Sequence, residues 1–155
     1  MAAISAQSIA KMGVAQLQDI SSTSWAFAKL GIEDPPLLDA IAAEAMARQS
    51  QLNGQELSNL AWSVAVLSVM NRPLLDALAA ESLPRMHTWR PQEIANTVWS
   101  YAKLGLEHKP LLDALASSSL PLLHDFTPQE VVNTSWAFAQ LGFLHRPLLD
   151  ALSAK

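Results

Sequence analysis

The side chains of this sequence that could do chemistry recur at a fixed interval of 37 residues. One set is short and polar: Glu93, Asn96, Ser100 and Lys103 stand three or four positions apart. Its counterparts are Asp19, Ser22, Ala26 and Lys29; Glu56, Asn59, Ser63 and Val66; and Glu130, Asn133, Ala137 and Gln140. Amides, hydroxyls and ammonium groups can hydrogen-bond the edges of nucleobases, and a tandem-repeat reader meets one base with two or three side chains of one repeat. The alternative is the solvent side of an amphipathic helix, with Asn59, Asn96 and Asn133 bonding neighbouring backbone as a ladder. The two are compatible, because a ladder can hold the stripe flat.

A second set is basic. Arg72, Lys109 and Arg146 each precede a proline, where a cationic side chain and free backbone N–H groups could together hold a phosphate. The first copy has Pro35 at this position, and the aspartate three residues after each proline would repel a phosphate, which leaves solvated charge as the alternative. His108 and His145 share one repeat position, but two imidazoles without a third ligand make a poor metal site, so a solvated or capping role is expected. No phosphate-cradling glycine loop, His-Glu-x-x-His pair or Gly-x-Ser-x-Gly elbow occurs. The expectation is no enzyme, no cofactor, no metal and no small-molecule substrate.

Two registers define the elements that must position these residues. Trp25, Trp62, Trp99 and Trp136 are 37 positions apart, and Pro36, Pro73, Pro110 and Pro147 each open the block Pro-Leu-Leu-Asp-Ala at the same interval. Apolar residues recur at three- and four-residue steps without strict alternation, so each unit reads as two helices. The fold class is all-α, an α-solenoid of tandem two-helix repeats. Helix A is expected near 17–30, 54–67, 91–104 and 128–141. Thr127, Pro128 and Glu130 mark its start in the fourth copy, with Phe126 and Val131 placed to staple; Asn53 with Glu56 repeats the signal, and Arg90 and Gln16 are weaker caps. Gly31, Gly105 and Gly142 close helix A, with Ser68 the exception. Helix B begins near each proline, carries Asp39, Asp76, Asp113 and Asp150 towards the positive end of its dipole, and stops at Pro84 and Pro121.

Residues 1–155 are read as one helical-repeat domain, with a partial repeat at 1–14 and repeats at about 15–51, 52–88, 89–125 and 126–155. Residues 1–14 align with helix B, Met1 against Leu38 and Ile4 against Ile41, as in a piece of a longer array. The same alignment favours repeat body over an organellar presequence. The four repeated tryptophans lie beside Ala28, Ala65, Ala102 and Ala139, which favours a structural core over a base-stacking role. Trp89, Phe126 and Leu52 precede the helix A caps and suit a staple.

A formal charge of −4 gives no global attraction to nucleic acid or to anionic membranes, so phosphate contacts must come from local clusters. The absence of cysteine excludes disulfides and thiolate metal sites. No apolar stretch is long enough to cross a bilayer, and no membrane partner is expected.

The string Pro-Gln-Glu-Val-Val-Asn-Thr-Ser-Trp-Ala-Phe-Ala-Gln-Leu-Gly (128–142), with Gln-Glu-Leu-Ser-Asn-Leu-Ala-Trp (55–62) and the Pro-Leu-Leu-Asp-Ala blocks, resembles the octotricopeptide repeats of algal and protist organelle proteins. It is also similar to the helical repeats of FAST-kinase-like proteins and of the kinetoplastid RNA-editing substrate-binding complex. The resemblance implies an α-solenoid that binds single-stranded RNA in mitochondria or chloroplasts, in RNA processing, editing, stability or translation, together with protein partners of a ribonucleoprotein complex. Carried onto this chain, the base-reading positions fall on Ser22, Lys29, Asn59, Ser63, Glu93, Asn96, Ser100, Lys103, Asn133 and Gln140, with phosphate contacts from Arg72, Lys109 and Arg146. The rival expectation is a protein-interaction scaffold whose concave face takes a basic peptide or helix. A continuous acidic stripe from Asp19, Glu56, Glu93 and Glu130 would favour that rival.

Overall fold

The computed structural model describes residues 2–154, and every regular element in it is helical. The A helices are α2 (Leu17–Leu30), α4 (Gly54–Val66), α6 (Pro91–Lys103) and α8 (Pro128–Gln140), within one residue of the expected spans. The B helices are α1 (Ala2–Lys11), α3 (Pro35–Ala47), α5 (Arg72–Ser82), α7 (Lys109–Ser119) and α9 (Arg146–Ser153).

The A helices stack in chain order into one layer, α2 on α4, α4 on α6 and α6 on α8. The B helices line the other side, α3 touching α1 and α5, and α9 touching α7; the 3-10 turn Leu83–Thr88 links α5 to α7. The core lies between the layers. Leu37, Leu74, Leu111 and Leu148, the first leucine of each Pro-Leu-Leu block, are fully buried and meet Ile20, Leu57 and Ile94 of the A layer in one cluster. Burying each such side chain stabilises by about 1.5–3 kcal/mol, and no single repeat could do so without its neighbours.

Local chemistry fixes the helix ends. At the start of every A helix a carboxylate three residues on accepts the cap residue's backbone N–H: Asp19 from Gln16 (3.2 Å), Glu56 from Asn53 (2.8 Å), Glu93 from Arg90 (2.7 Å) and Glu130 from Thr127 (2.7 Å). Asn53 and Thr127 also accept in return, completing the capping box. Arg90 has no acceptor to offer, and its guanidinium instead donates to Glu93. The A helices end alike, the residue at Gly31, Ser68, Gly105 or Gly142 turning left-handed while the next N–H reaches back to Phe27, Val64, Tyr101 or Phe138. Ser68 holds φ 55 with a Cβ that the other three positions lack.

Pro84 and Pro121 fall at the equivalent of Ala47, and their B helices end two residues earlier than α3 and tighten into 3-10 turns. Arg48 and Arg85, one repeat apart, tie the end of a repeat to its start, donating to the carbonyls of Ala15 and Leu52. Leu122 takes that position in the next repeat. In α1, Ile4 is exposed where its counterpart Ile41 is buried, and Met1 lies outside the described residues.

Candidate nucleic-acid interface

Neighbours on both sides leave each inner A helix a single open stripe. In α6 the residues that are not buried after Pro91 are Gln92, Asn96, Trp99 and Lys103, one face at helical spacing. In α4 they are Gln55, Asn59, Trp62 and Val66, after Gly54. The outward surface of the layer is therefore four rows running across the helices. These are Gln18, Gln55, Gln92 and Gln129; Ser22, Asn59, Asn96 and Asn133; the repeated tryptophans; and Lys29, Val66, Lys103 and Gln140.

The amide rows are available to a ligand. Among the described residues the side chains of Asn59 and Asn96 make no hydrogen bond, nor do those of Gln55 and Gln92, while Asn133 accepts from Gln129 at 2.9 Å. The expected asparagine-to-backbone ladder does not form. Ser22, Trp25, Gln55, Asn59 and Gln92 surround an open depression of ≈ 490 Å³. The glutamine row was missed in the sequence because the expected stripe began at the acidic position one residue further on, although its own 37-residue spacing was visible.

Three expected contact residues lie elsewhere. Ser63 and Ser100 are completely buried in the seams between A helices, each donating to the carbonyl four residues back, Asn59 (2.7 Å) and Asn96 (2.6 Å). Glu93 is buried as a capping acceptor. Glu56 is buried in the same way, whereas Asp19 is exposed and Glu130 half-buried, so the acidic row is broken at its two inner positions and forms no continuous outward stripe. Ser22, Lys29, Lys103 and Gln140 are exposed, and Asn59, Asn96 and Asn133 are half-buried.

The tryptophans are less buried than a structural core would have them, although their rings meet between repeats and Trp62 packs against a second buried cluster of Ala28, Leu38 and Leu67. Trp25 and Trp136 are each 42% exposed, and Trp62 and Trp99 are half-buried; none belongs to the main core cluster. Ala65 and Ala102 are buried as expected. The rings pair across the seams, Trp25 with Trp62 at 6.3 Å between centroids and 31° between planes, and Trp99 with Trp136 at 6.5 Å and 36°. Lys29 Nζ stands 5.8 Å from the Trp25 ring centre and 6.0 Å from that of Trp62, within cation–π range. Trp89, Phe126 and Leu52 are buried, as a staple requires.

The basic row lies at the starts of the B helices. Arg72 pairs with Asp76 at 3.3 Å, Lys109 approaches Glu107 at 3.8 Å, and Arg146 is exposed. Such exposed pairs are worth about 0–1 kcal/mol and yield readily to another anion. The backbone donors beside them are partly used. Asp34, Asn71, His108 and His145 cap the B helices by accepting from the N–H groups of Leu37, Leu74, Leu111 and Leu148. The two histidines accept through Nδ1, at 3.2 and 3.3 Å, which is the capping role expected of them.

Among the described residues no group of three His, Cys, Asp or Glu is placed to hold a metal ion, and no helix is long and apolar enough to cross a membrane. No curated protein matches the chain. The family described as RNA-editing substrate-binding complex 6 protein matches residues 3–118 and, in a second overlapping alignment, 51–155. With nearly all of its length matched, and with helices laid down at the repeat interval, this chain belongs to the RNA-editing substrate-binding complex 6 protein family.

Proposed function

We propose that the chain is a non-catalytic module that binds single-stranded RNA on the outward face of its A layer, in organellar RNA processing or editing. The observation that carries this reading is the charge of that face. The acidic residues of the A helices are turned to their own caps, so an acidic protein presents a stripe of amides, indoles and two lysines, Lys29 and Lys103, with no carboxylate in its four rows. Local composition of this kind suits a phosphate backbone despite the net charge of −4. Family membership supports the same reading, since the family is described as RNA-editing substrate-binding complex 6 protein. A mitochondrial or chloroplast location is part of this proposal and is supported by the repeat resemblance.

Ser22, Asn59, Asn96, Asn133 and Gln140 offer hydrogen bonds to base edges, and Gln18, Gln55, Gln92 and Gln129 join them. Lys29 and Lys103 meet phosphates, and Arg72, Lys109 and Arg146 extend that contact along the edge of the layer. Val132 and Leu144, both exposed on or beyond α8, suit protein partners of a ribonucleoprotein.

The test is fluorescence anisotropy with short single-stranded RNA pools at low and physiological salt, with an RNA duplex and a basic peptide as comparators. Replacing Asn59, Asn96 and Asn133 together by alanine is expected to weaken single-strand binding at least about tenfold, at roughly 0.5–1.5 kcal/mol per hydrogen bond. Ser100→Ala is expected to leave it unchanged. Binding of the peptide with no RNA binding at low salt would make the chain a protein-interaction solenoid.

A further inference from the structure

We infer that the two tryptophan pairs, Trp25–Trp62 and Trp99–Trp136, are stacking platforms for unpaired bases, so that the face grips single strands through the planes of the bases as well as their edges. The inference rests on the RNA reading above and adds the residues and the ligand geometry to it.

Position is the first reason. The tryptophans occupy one row of the only stripe that the inner A helices leave open, at a point where full burial would stabilise the fold by about 1.5–3 kcal/mol for a large side chain. Four indoles aligned on one surface form an apolar feature rimmed by polar rows, the pattern of a binding site.

Geometry is the second. A base sandwiched between two parallel rings needs about 7–8 Å between them, twice the optimal carbon–carbon separation of about 3.5–4.0 Å. The pairs stand at 6.3 and 6.5 Å and are tilted, so each is closed to insertion and acts as one aromatic surface. Trp62 and Trp99 form no such pair, and the row is interrupted once, between α4 and α6. Bases therefore stack on the pairs and not within them, two repeats apart.

The surroundings are the third. Lys29 sits over both rings of the first pair, and Lys103 follows Trp99 by one helical turn at the same row position beside the second. An ammonium group beside a stacked base is placed to meet the phosphate that follows it. Because every base has a π-face, platforms of this kind tolerate sequence, and the amide rows would add preference. A duplex, whose bases already stack on one another, offers no free faces to them.

The experiment uses the full chain, an oligoadenylate RNA and an abasic oligonucleotide of the same length, read by anisotropy and by quenching of tryptophan emission. Trp25 and Trp136, the more exposed partners, are changed together to leucine and separately to phenylalanine; thermal melting checks that both variants fold. We expect oligoadenylate to quench emission and to bind at least tenfold more tightly than the abasic strand. The leucine variant is expected to lose about tenfold per platform, and the phenylalanine variant to keep most of the affinity. Equal binding of both strands, with leucine variants indistinguishable from the parent while the asparagine variant is weakened, would overturn the stacking and leave RNA binding to the amides. No RNA binding by the parent would remove both.

Discussion

Asn96 and Ser100 lie one turn apart on α6, both small, polar and repeated, yet Ser100 is wholly buried while Asn96 is half-buried on the open stripe. Trp99, between them, is more exposed than Ser100 although it is far more apolar. Side-chain polarity alone would have arranged these three the other way round. What decides is the layer: the A helices press against one another along the serine row, where only a small side chain fits and each serine returns its hydroxyl to its own helix. The tryptophan row is left facing outward. Seam and face are thus two regions built from the same helices, one carrying the fold and the other free to bind.

The comparison can be broken most forcefully at the seam. Ser100→Leu adds volume where α6 has no space, and a stability loss of about 2 kcal/mol is expected in chemical denaturation. Tyr101→Phe comes next. Its hydroxyl is buried and donates to the Leu75 carbonyl at 2.6 Å, and burial, with Asp76 adding to it, pushes its ionisation well above the phenol range, so it stays a neutral donor. Removing it is expected to cost about 1 kcal/mol. Ser68→Gly acts in the opposite direction: relieving the left-handed serine that closes α4 should raise stability by about 1 kcal/mol and leave RNA affinity unchanged. The smallest effect is expected on the face. Trp25→Leu with Trp136→Leu should shift unfolding free energy by no more than about 0.5 kcal/mol each while weakening RNA binding. A large stability loss there would mean that the indoles belong to the fold after all.

Much of the fold was legible because its signals are local. The tryptophan interval, the Pro-Leu-Leu-Asp-Ala blocks and the closing glycines located the A helices to within a residue. The site was less legible, because which stripe of a helix stays open depends on how its neighbours pack. The preference of indoles for interiors pointed Trp25 and Trp136 inward, and polarity pointed Ser63 and Ser100 outward; the stacked layer reversed both. Asp34 and Asn71 show the converse, two side chains whose capping work, shared with His108 and His145, is plain only once the helix start is seen.

Photo-crosslinking of the chain to a thiouridine-substituted single-stranded RNA, with the crosslinked peptides identified by mass spectrometry, locates the RNA on the fold. Crosslinks are expected on the outward rows of α2, α4, α6 and α8, at Trp25, Asn59, Trp62, Asn96, Trp99 and Trp136. Crosslinks confined to the B helices, with the tryptophan and asparagine rows untouched, would contradict the assignment of the A layer's face as the RNA-binding surface.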